Sequence, residues 1–448
     1  MGLEVNGMFW RRYRPSPAPS LSVTPAAGGE AEEEAEEEEA KRPETDDTHD
    51  TSANAWNKVG LRDRIRHLTW ANFTFPMSTG GIALLLTATP HRFRGLETLG
   101  KIAFLFDLVI FFVVCAGIAA RFIMNPGSFQ KSLVHPTEAL FFATFWLALV
   151  DVLGCMQDYG VPNVQGDWLV VFLRVAFWIY VALTFLTGVL QYLHLFTAKK
   201  LTIQSMTPGW ILPMFPTMLA GTFATLIAPS QPIGHREPII IAGLTFQGLG
   251  WMLSFMIYAI YLHRLIQFGL PAPDLRPGMF IAVGPPAFTG LALIGLSQAL
   301  PPDGSYFRPR PGIIPILQTL ADGLAIFLWS LSFWFFCVAL LSVLRRARDM
   351  SFHLVWWAFV FPNVGFTIAT IKIGQQLGSE GILWVASAMT VLLVVVWGFV
   401  FVSHMRAIWK RQIMMPGLDE DKDQYKADDR RLNIPVPPTV PPTPQHLD

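Results

Sequence analysis

The sequence predicts an all-α polytopic membrane protein, with ten transmembrane helices arranged as five quasi-repeated helical hairpins around a central pore. Three observations carry this prediction. The 448 residues are 52% hydrophobic and 15% charged, with a mean hydropathy of +0.41, where soluble proteins carry about 25% charged residues. Beyond residue 60, apolar stretches recur that are long enough to cross about 30 Å of hydrocarbon. One of them is written twice: His353–Ala369, HLVWWAFVFPNVGFTIA, overlies His67–Ala83, HLTWANFTFPMSTGGIA, with eight of seventeen positions identical.

In chain order, residues 1–60 are rich in Pro, Ala and Glu and show no helical apolar period, so they read as a disordered acidic tail. Eight glutamates between Glu30 and Glu39 make the formal net charge of zero a poor guide to the rest of the chain. No cleavable signal peptide precedes residue 60, and the first apolar segment is expected to serve as its own insertion signal. The spans read from the sequence are 68–89, 100–124, 134–153, 167–195, 208–229, 239–262, 278–299, 313–344, 353–374 and 382–405. Together they make a transport domain over 61–411. Residues 412–448 are charged and then Pro-rich, a second disordered tail. Cys115, Cys155 and Cys337 all fall in apolar stretches and read as buried thiols, not a disulfide framework.

The loops give an orientation. Fifteen Lys and Arg residues flank one set of helix ends and six flank the other. The richer side is expected to be cytoplasmic, with both termini inside.

The odd-numbered helices carry the functional signal. Both copies of the duplicated stretch hold a Phe-Pro step, Phe75-Pro76 and Phe361-Pro362, near the middle of an apolar span. Proline removes a backbone donor and clashes one turn back, so a kink is expected there. Pro216 and Pro285 extend the pattern: Gly221 and Gly290 follow them by five residues, as Gly81 follows Pro76. Pro136 is a degenerate second copy. Interrupted helices in internal repeats are a transporter or channel signature. Small and polar residues cluster around the steps: Ser78, Thr79 and Gly80 in helix 1, Thr217 and Thr222 in helix 5, Gly284 and Thr289 in helix 7, and Asn363, Gly365 and Thr367 in helix 9. Kinked helices presenting hydroxyls and freed amide donors suit an anion. The bland reading of any one such glycine is close helix packing.

The even helices are bulky and aromatic, as befits a lipid-facing or subunit-facing wall. Ionisable residues inside spans are costly and are expected to be paired or solvated. Asp107, Arg174 and Asp322 lie on even helices, and Glu138, Asp151 and Lys372 on odd ones. An Arg174–Asp151 pair is the plain expectation. The functional alternative places Lys372 or Arg174 in an outer vestibule that concentrates anions. Histidines at helix ends, among them His67, His135, His263, His353 and His404, offer a route to coupling protons. No P-loop, HExxH or metal-ligand spacing appears, and the glycines lack the strand–helix setting of nucleotide binding. An enzyme, a cofactor, a metal site and a nucleic-acid partner therefore have no support.

The run FPMSTGGIALLL, then TPHRFRGLETLGKIAFLFDL, with WWAFVFPNVGFTIATIKIG in helix 9, resembles the fungal malic-acid transporters. These belong to the tellurite-resistance/dicarboxylate transporter family, which also contains the plant slow anion channels. The resemblance covers roughly residues 61–410. It implies inner odd helices lining a pore in each protomer, commonly of a homotrimer, and a pore-plugging Phe in helix 9. The motif places that plug on Phe361, and the repeat puts Phe75 and Phe215 in equivalent positions. The resulting expectation is a plasma-membrane transporter of C4-dicarboxylate anions, malate and succinate, with protons as a second candidate ligand. Its gate would be Phe361, Phe75 and Phe215, and its pore would be lined at Pro76, Pro216, Pro285, Pro362, Gly81, Gly221 and Gly290. Substrate-binding candidates are Ser78, Thr79, Thr289, Asn363, Thr367, Lys372 and Arg174. A sulfite or small-anion exporter is the alternative of the same kind, and a membrane sensor or scaffold the alternative of another class.

Overall fold

The computed structural model describes residues 60–197, 202–304, 306–310 and 312–415. The two tails expected to be disordered fall almost wholly outside these residues. Among the described residues the secondary structure is helical throughout. The long helices, labelled in chain order, are α1 (Thr74–Ala88), α2 (Leu96–Met124), α3 (Glu138–Cys155), α4 (Trp168–Thr197), α5 (Phe215–Ile227), α6 (Ile233–Phe268), α7 (Gly284–Gln298), α8 (Ile313–Leu344), α9 (Phe361–Gln376) and α10 (Glu380–Trp409). Nine helical segments among the described residues are long and apolar enough to cross a membrane. The segment at α1 is not one of them: with its leading turn it runs from Trp70 to Ala88, and its Asn, Thr, Ser and Gly content lowers its hydropathy.

The odd helices form an inner ring in which α1 packs on α3, α3 on α5, α5 on α7, α7 on α9, and α9 back on α1. Burial separates this ring from the even helices. Within the apolar windows 67 to 94% of residues are buried in the segments of α3, α5, α7 and α9, against 22 to 39% in α2, α4, α6, α8 and α10. A helix apolar all round but buried on one stripe only must face lipid or another subunit. The bulky, aromatic composition of the even helices has this cause.

The Phe-Pro steps are not kinks within α-helices. Four inner segments begin as 3-10 helices (Trp70–Phe73, Pro208–Met214, Pro273–Val283 and Leu354–Phe359) and become α-helical beside the proline. Pro216, Pro285 and Pro362 occupy the first turn of α5, α7 and α9, and Pro76 is the third residue of α1. There a missing N–H breaks no interior hydrogen bond. The groups that need partners at these junctions are carbonyls, and neighbouring helices supply them. Tyr180 donates to the Pro216 carbonyl at 2.9 Å, Tyr258 to Ala282 at 2.8 Å, Ser332 to Val283 at 3.1 Å and Thr144 to Trp70 at 2.9 Å. In a bilayer such satisfaction is obligatory for any irregular backbone. The freed amide donors expected at kinks are therefore replaced by junctions whose carbonyls are sealed by neighbouring helices, three of them by the outer ring and Trp70 by α3.

Two of the expected buried charges find different solutions. Glu138 is fully buried and ion-pairs with the equally buried Arg121 of α2. The expected Arg174–Asp151 pair does not form: among the described residues Arg174 has no ion-pair partner, because it lies half-buried on the outer-ring helix α4 while Asp151 points inward from α3.

Candidate functional site

The C-terminal halves of the five inner helices diverge around a cavity of about 660 Å³. This is well within the size range of small-molecule sites. Its mouth is shaped by the α1–α2 loop with Arg92, the start of α6 with Arg236, and a π-helical turn, Met156–Gly160, that ends α3. That turn presents Asp158 and Tyr159 to the cavity, and both are held: Thr87 donates to Asp158 at 2.8 Å, and Tyr159 donates to the Ala83 carbonyl at 2.7 Å. Turns of this kind recur at functional sites because they re-aim side chains. Lys372, near the end of α9, lines the cavity half-buried. Among the described residues neither Lys372 nor Arg236 makes a close ion pair, although Lys372 lies within electrostatic reach of Asp158 on the same wall.

The inner end of the cavity is closed by aromatic rings. Phe361 and Phe288 stack with centroids 5.2 Å apart, and Phe215 meets them edge-on at 6.1 and 5.8 Å. Phe361 is 1% exposed and lines two spaces at once. One is the large cavity; the other, toward the 3-10 turns, is only about 30 Å³ and is walled by Met77, Leu147, Leu212, Ile281 and Val355. A space of that size holds about one water. The rings thus lie between the two spaces. Glycines make room for them: a Cβ at Gly81 would stand 3.3 Å from Phe361, one at Gly284 2.7 Å from Phe215, and one at Gly365 2.6 Å from Phe288.

The residues singled out in the sequence distribute unevenly around this site. Phe361 and Phe215 meet on the axis. Phe75 does not join them; it stacks on Trp357 at 4.7 Å and packs against Phe401 and His404 of α10. Pro362 borders the small space below the rings, and Gly81 lines the large cavity. Gly221 and Gly290 are packing sites: a Cβ at Gly221 would lie 2.5 Å from Gln247 of α6, and one at Gly290 3.3 Å from the Ala325 carbonyl of α8. The hydroxyl candidates are spent on the framework. Ser78 donates to the Trp357 carbonyl at 3.2 Å, Thr79 accepts from Trp397 at 3.2 Å, and Thr289 accepts from Gln247 at 2.9 Å. Asn363 and Thr367 line a lateral apolar groove against α10. Lys372 lines the large cavity and Arg174 does not.

Two residues of the site carried little signal in the sequence, and a third, Thr222, stood out only as one of the small polar residues of helix 5. Phe288 has no counterpart at the other prolines. Arg236 counted only as one charge among six. Thr222, whose buried hydroxyl has no hydrogen-bond partner, lines the cavity one residue beyond the repeat's glycine.

Comparison with known proteins bears on what such a cavity serves. The SLAC1 family model, described as a voltage-dependent anion channel, matches residues 67–405. The chain is 34% identical over 373 residues to a malic acid transport protein of Schizosaccharomyces pombe, spanning 82% of this chain and 85% of that one. A putative malic acid transport protein of the same organism is 34% identical over 370 residues. A sulfite efflux pump of Arthroderma benhamiae is 26% identical over 339 residues, spanning 75% of this chain and 88% of the relative. The chain belongs to the SLAC1 family.

Proposed function

We propose that this SLAC1-family protein carries C4-dicarboxylate anions, malate foremost, across the plasma membrane along the axis of its inner ring, with Phe361 as the constriction. The observation that carries the reading is the placement of two cations that make no close ion pair, Lys372 and Arg236, over an aromatic floor in one cavity. A diacid offers two carboxylates, and each charge-assisted hydrogen bond to a cation is worth roughly 1.5–3 kcal/mol. Thr222 and Gln298 line the same cavity and supply neutral hydrogen-bonding groups. Beneath them the stacked rings of Phe361 and Phe288 exclude water and hydrated ions, so passage requires the Phe361 ring to leave the axis. Affinity then resides in the cavity and the barrier in the rings. The names of two relatives at 34% identity support malate as substrate.

Labelled-malate flux into vesicles carrying the full chain tests this. Lys372→Gln is expected to raise the malate KM about tenfold, equivalent to about 1.4 kcal/mol of lost binding, with little change in maximal flux. Arg174→Gln is expected to leave both unchanged. An unaltered KM in Lys372→Gln would remove this residue from the binding site. A second reading has its own observation: the relatives at 26% identity are named sulfite efflux pumps, and a single oxyanion fits between the same cations. Vesicles that move sulfite and show no competition by malate would favour it.

A further inference from the structure

At the wall of the cavity lies a pair of acids to which the binding of the anion assigns no role. Asp107 of α2 and Asp151 of α3 converge on Gly80 of α1: the position a Gly80 Cβ would occupy is 2.9 Å from Asp107 Oδ2 and 2.8 Å from Asp151 Cβ. Asp107 is 0% exposed and Asp151 4%. Apart from the approach of the Gly80 backbone, neither Asp107 oxygen meets a hydrogen-bond partner, and Asp151 Oδ2 is likewise buried without one. Two bare carboxylates converging in such a place would each lose their hydration and would repel each other. The groups around them do not relieve this. The Cys155 thiol donates to the Gly80 carbonyl at 3.7 Å, Tyr180 is committed to the Pro216 carbonyl, Tyr159 to the Ala83 carbonyl, and Asp158 adds a third acid held by Thr87. Lys372 faces the cavity from α9 but makes no ion pair with Asp151. Buried carboxyls that converge on one backbone position, repel one another and are short of donors resolve the conflict by binding a proton.

We propose that Asp107 and Asp151 form a proton-binding carboxyl pair, filled from the large cavity through Asp151, whose occupancy controls passage of the anion past Phe361. Two links on the page join the pair to the path. Asp151 lines the cavity itself, so its negative charge repels an entering dianion and its protonation removes that repulsion. Gly80, which the pair clasps, is followed by Gly81, where an added Cβ would stand 3.3 Å from the Phe361 ring, so the α1 backbone spans from acid pair to aromatic plug. The tight fit at Gly80 and the shortage of oxygen ligands disfavour a metal ion in the same place.

This inference rests on the anion-transport reading, and its test separates the two. In vesicles holding the full chain, infrared spectra recorded from acid to neutral pH are expected to show a protonated-carboxyl band that is absent in Asp107→Asn/Asp151→Asn. Labelled-malate flux is expected to rise as the cavity-side pH falls. Asp151→Asn, an isostere of the protonated acid, should carry the acid-stimulated flux at every pH, and Asp151→Glu should keep a pH dependence with a displaced midpoint. An unchanged infrared band in the double variant, or a wild-type pH profile in Asp151→Asn, overturns the pair. If the band is lost in the double variant while no form moves malate, the pair stands and the substrate is wrong.

Discussion

Helices α1 and α9 begin with nearly the same words and end with different tasks. Both enter through a 3-10 turn, both turn α-helical at a Phe-Pro step, and both are buried in the inner ring. Yet Phe361 stands on the axis among Phe288 and Phe215, while Phe75 lies against Trp357, Phe401 and His404. In α1 it is Gly81 that meets the axis. Six residues separate Phe75 from Gly81, about 240° of helical turn, so only one of them can face inward. In α5 the choice is reversed: Phe215 faces the rings and Gly221 faces α6. A repeated motif therefore dictates where a helix changes type. It leaves open which way the helix is rotated, which the neighbours decide.

The sharpest way to break this comparison is to truncate both rings. Phe361→Ala removes the group that separates the two axial spaces. Malate flux in vesicles is expected to rise about tenfold or more, since each 1.4 kcal/mol taken from a barrier is tenfold in rate. Phe75→Ala removes a ring stacked at 4.7 Å on Trp357 and is expected to cost on the order of 3 kcal/mol of stability. It should lower the thermal transition and the yield of folded protein without raising flux per folded molecule. Equal flux phenotypes in the two variants would contradict the assignment of separate roles.

How much of this was legible beforehand follows the same line. The helix spans were readable because hydrocarbon thickness fixes both length and apolarity, and most predicted bounds fall within a few residues of those observed. The largest departure is α6, which runs on to 36 residues at polar ends that hydropathy does not mark. Phe361 was legible through its motif, and Phe215 through its place beside Pro216. Phe75 was not, because its orientation depends on contacts with α10, some 320 residues away. The hydroxyls Ser78, Thr79 and Thr289 looked like an anion path because small polar residues serve helix packing and ligand binding alike, and only their partners tell the two apart. Arg236 gave no signal of its own, since a charge at a helix end is commonplace, and Thr222 stood out only as one of the small polar residues near a proline step. The two aspartates were legible as costly groups, but their convergence on Gly80 requires three helices to be placed.

A gentler probe acts on the glycines. Gly81→Val would press a side chain toward Phe361, 3.3 Å from the added Cβ, from the cavity side. Overpacking of this kind costs about 1–3 kcal/mol, and here it should act on the movable ring, slowing flux several-fold while the fold survives. Gly221→Val instead meets Gln247 at 2.5 Å and the Gly243 carbonyl at 2.9 Å, at the α5–α6 contact. Lowered thermal stability with unchanged malate KM is the expected result. Flux and melting measurements on both variants separate a glycine that faces the path from one that seats a helix.

The smallest expected effect tests whether the hydroxyls belong to the framework. Ser78 is fully buried and donates across from α1 to the Trp357 carbonyl, the turn that delivers Phe361 to the axis. Interhelical hydrogen bonds in membrane proteins contribute about 0.6 kcal/mol on average, so Ser78→Ala should lower the melting temperature by only a degree or two. If Ser78 met the anion directly, the same substitution would raise the KM for malate and leave the melting temperature alone. The two outcomes fall in different assays, so even a small effect identifies which side of α1 faces the path. Its orientation matters because Phe361, Gly81 and the acid pair are all referred to the azimuth of this one helix.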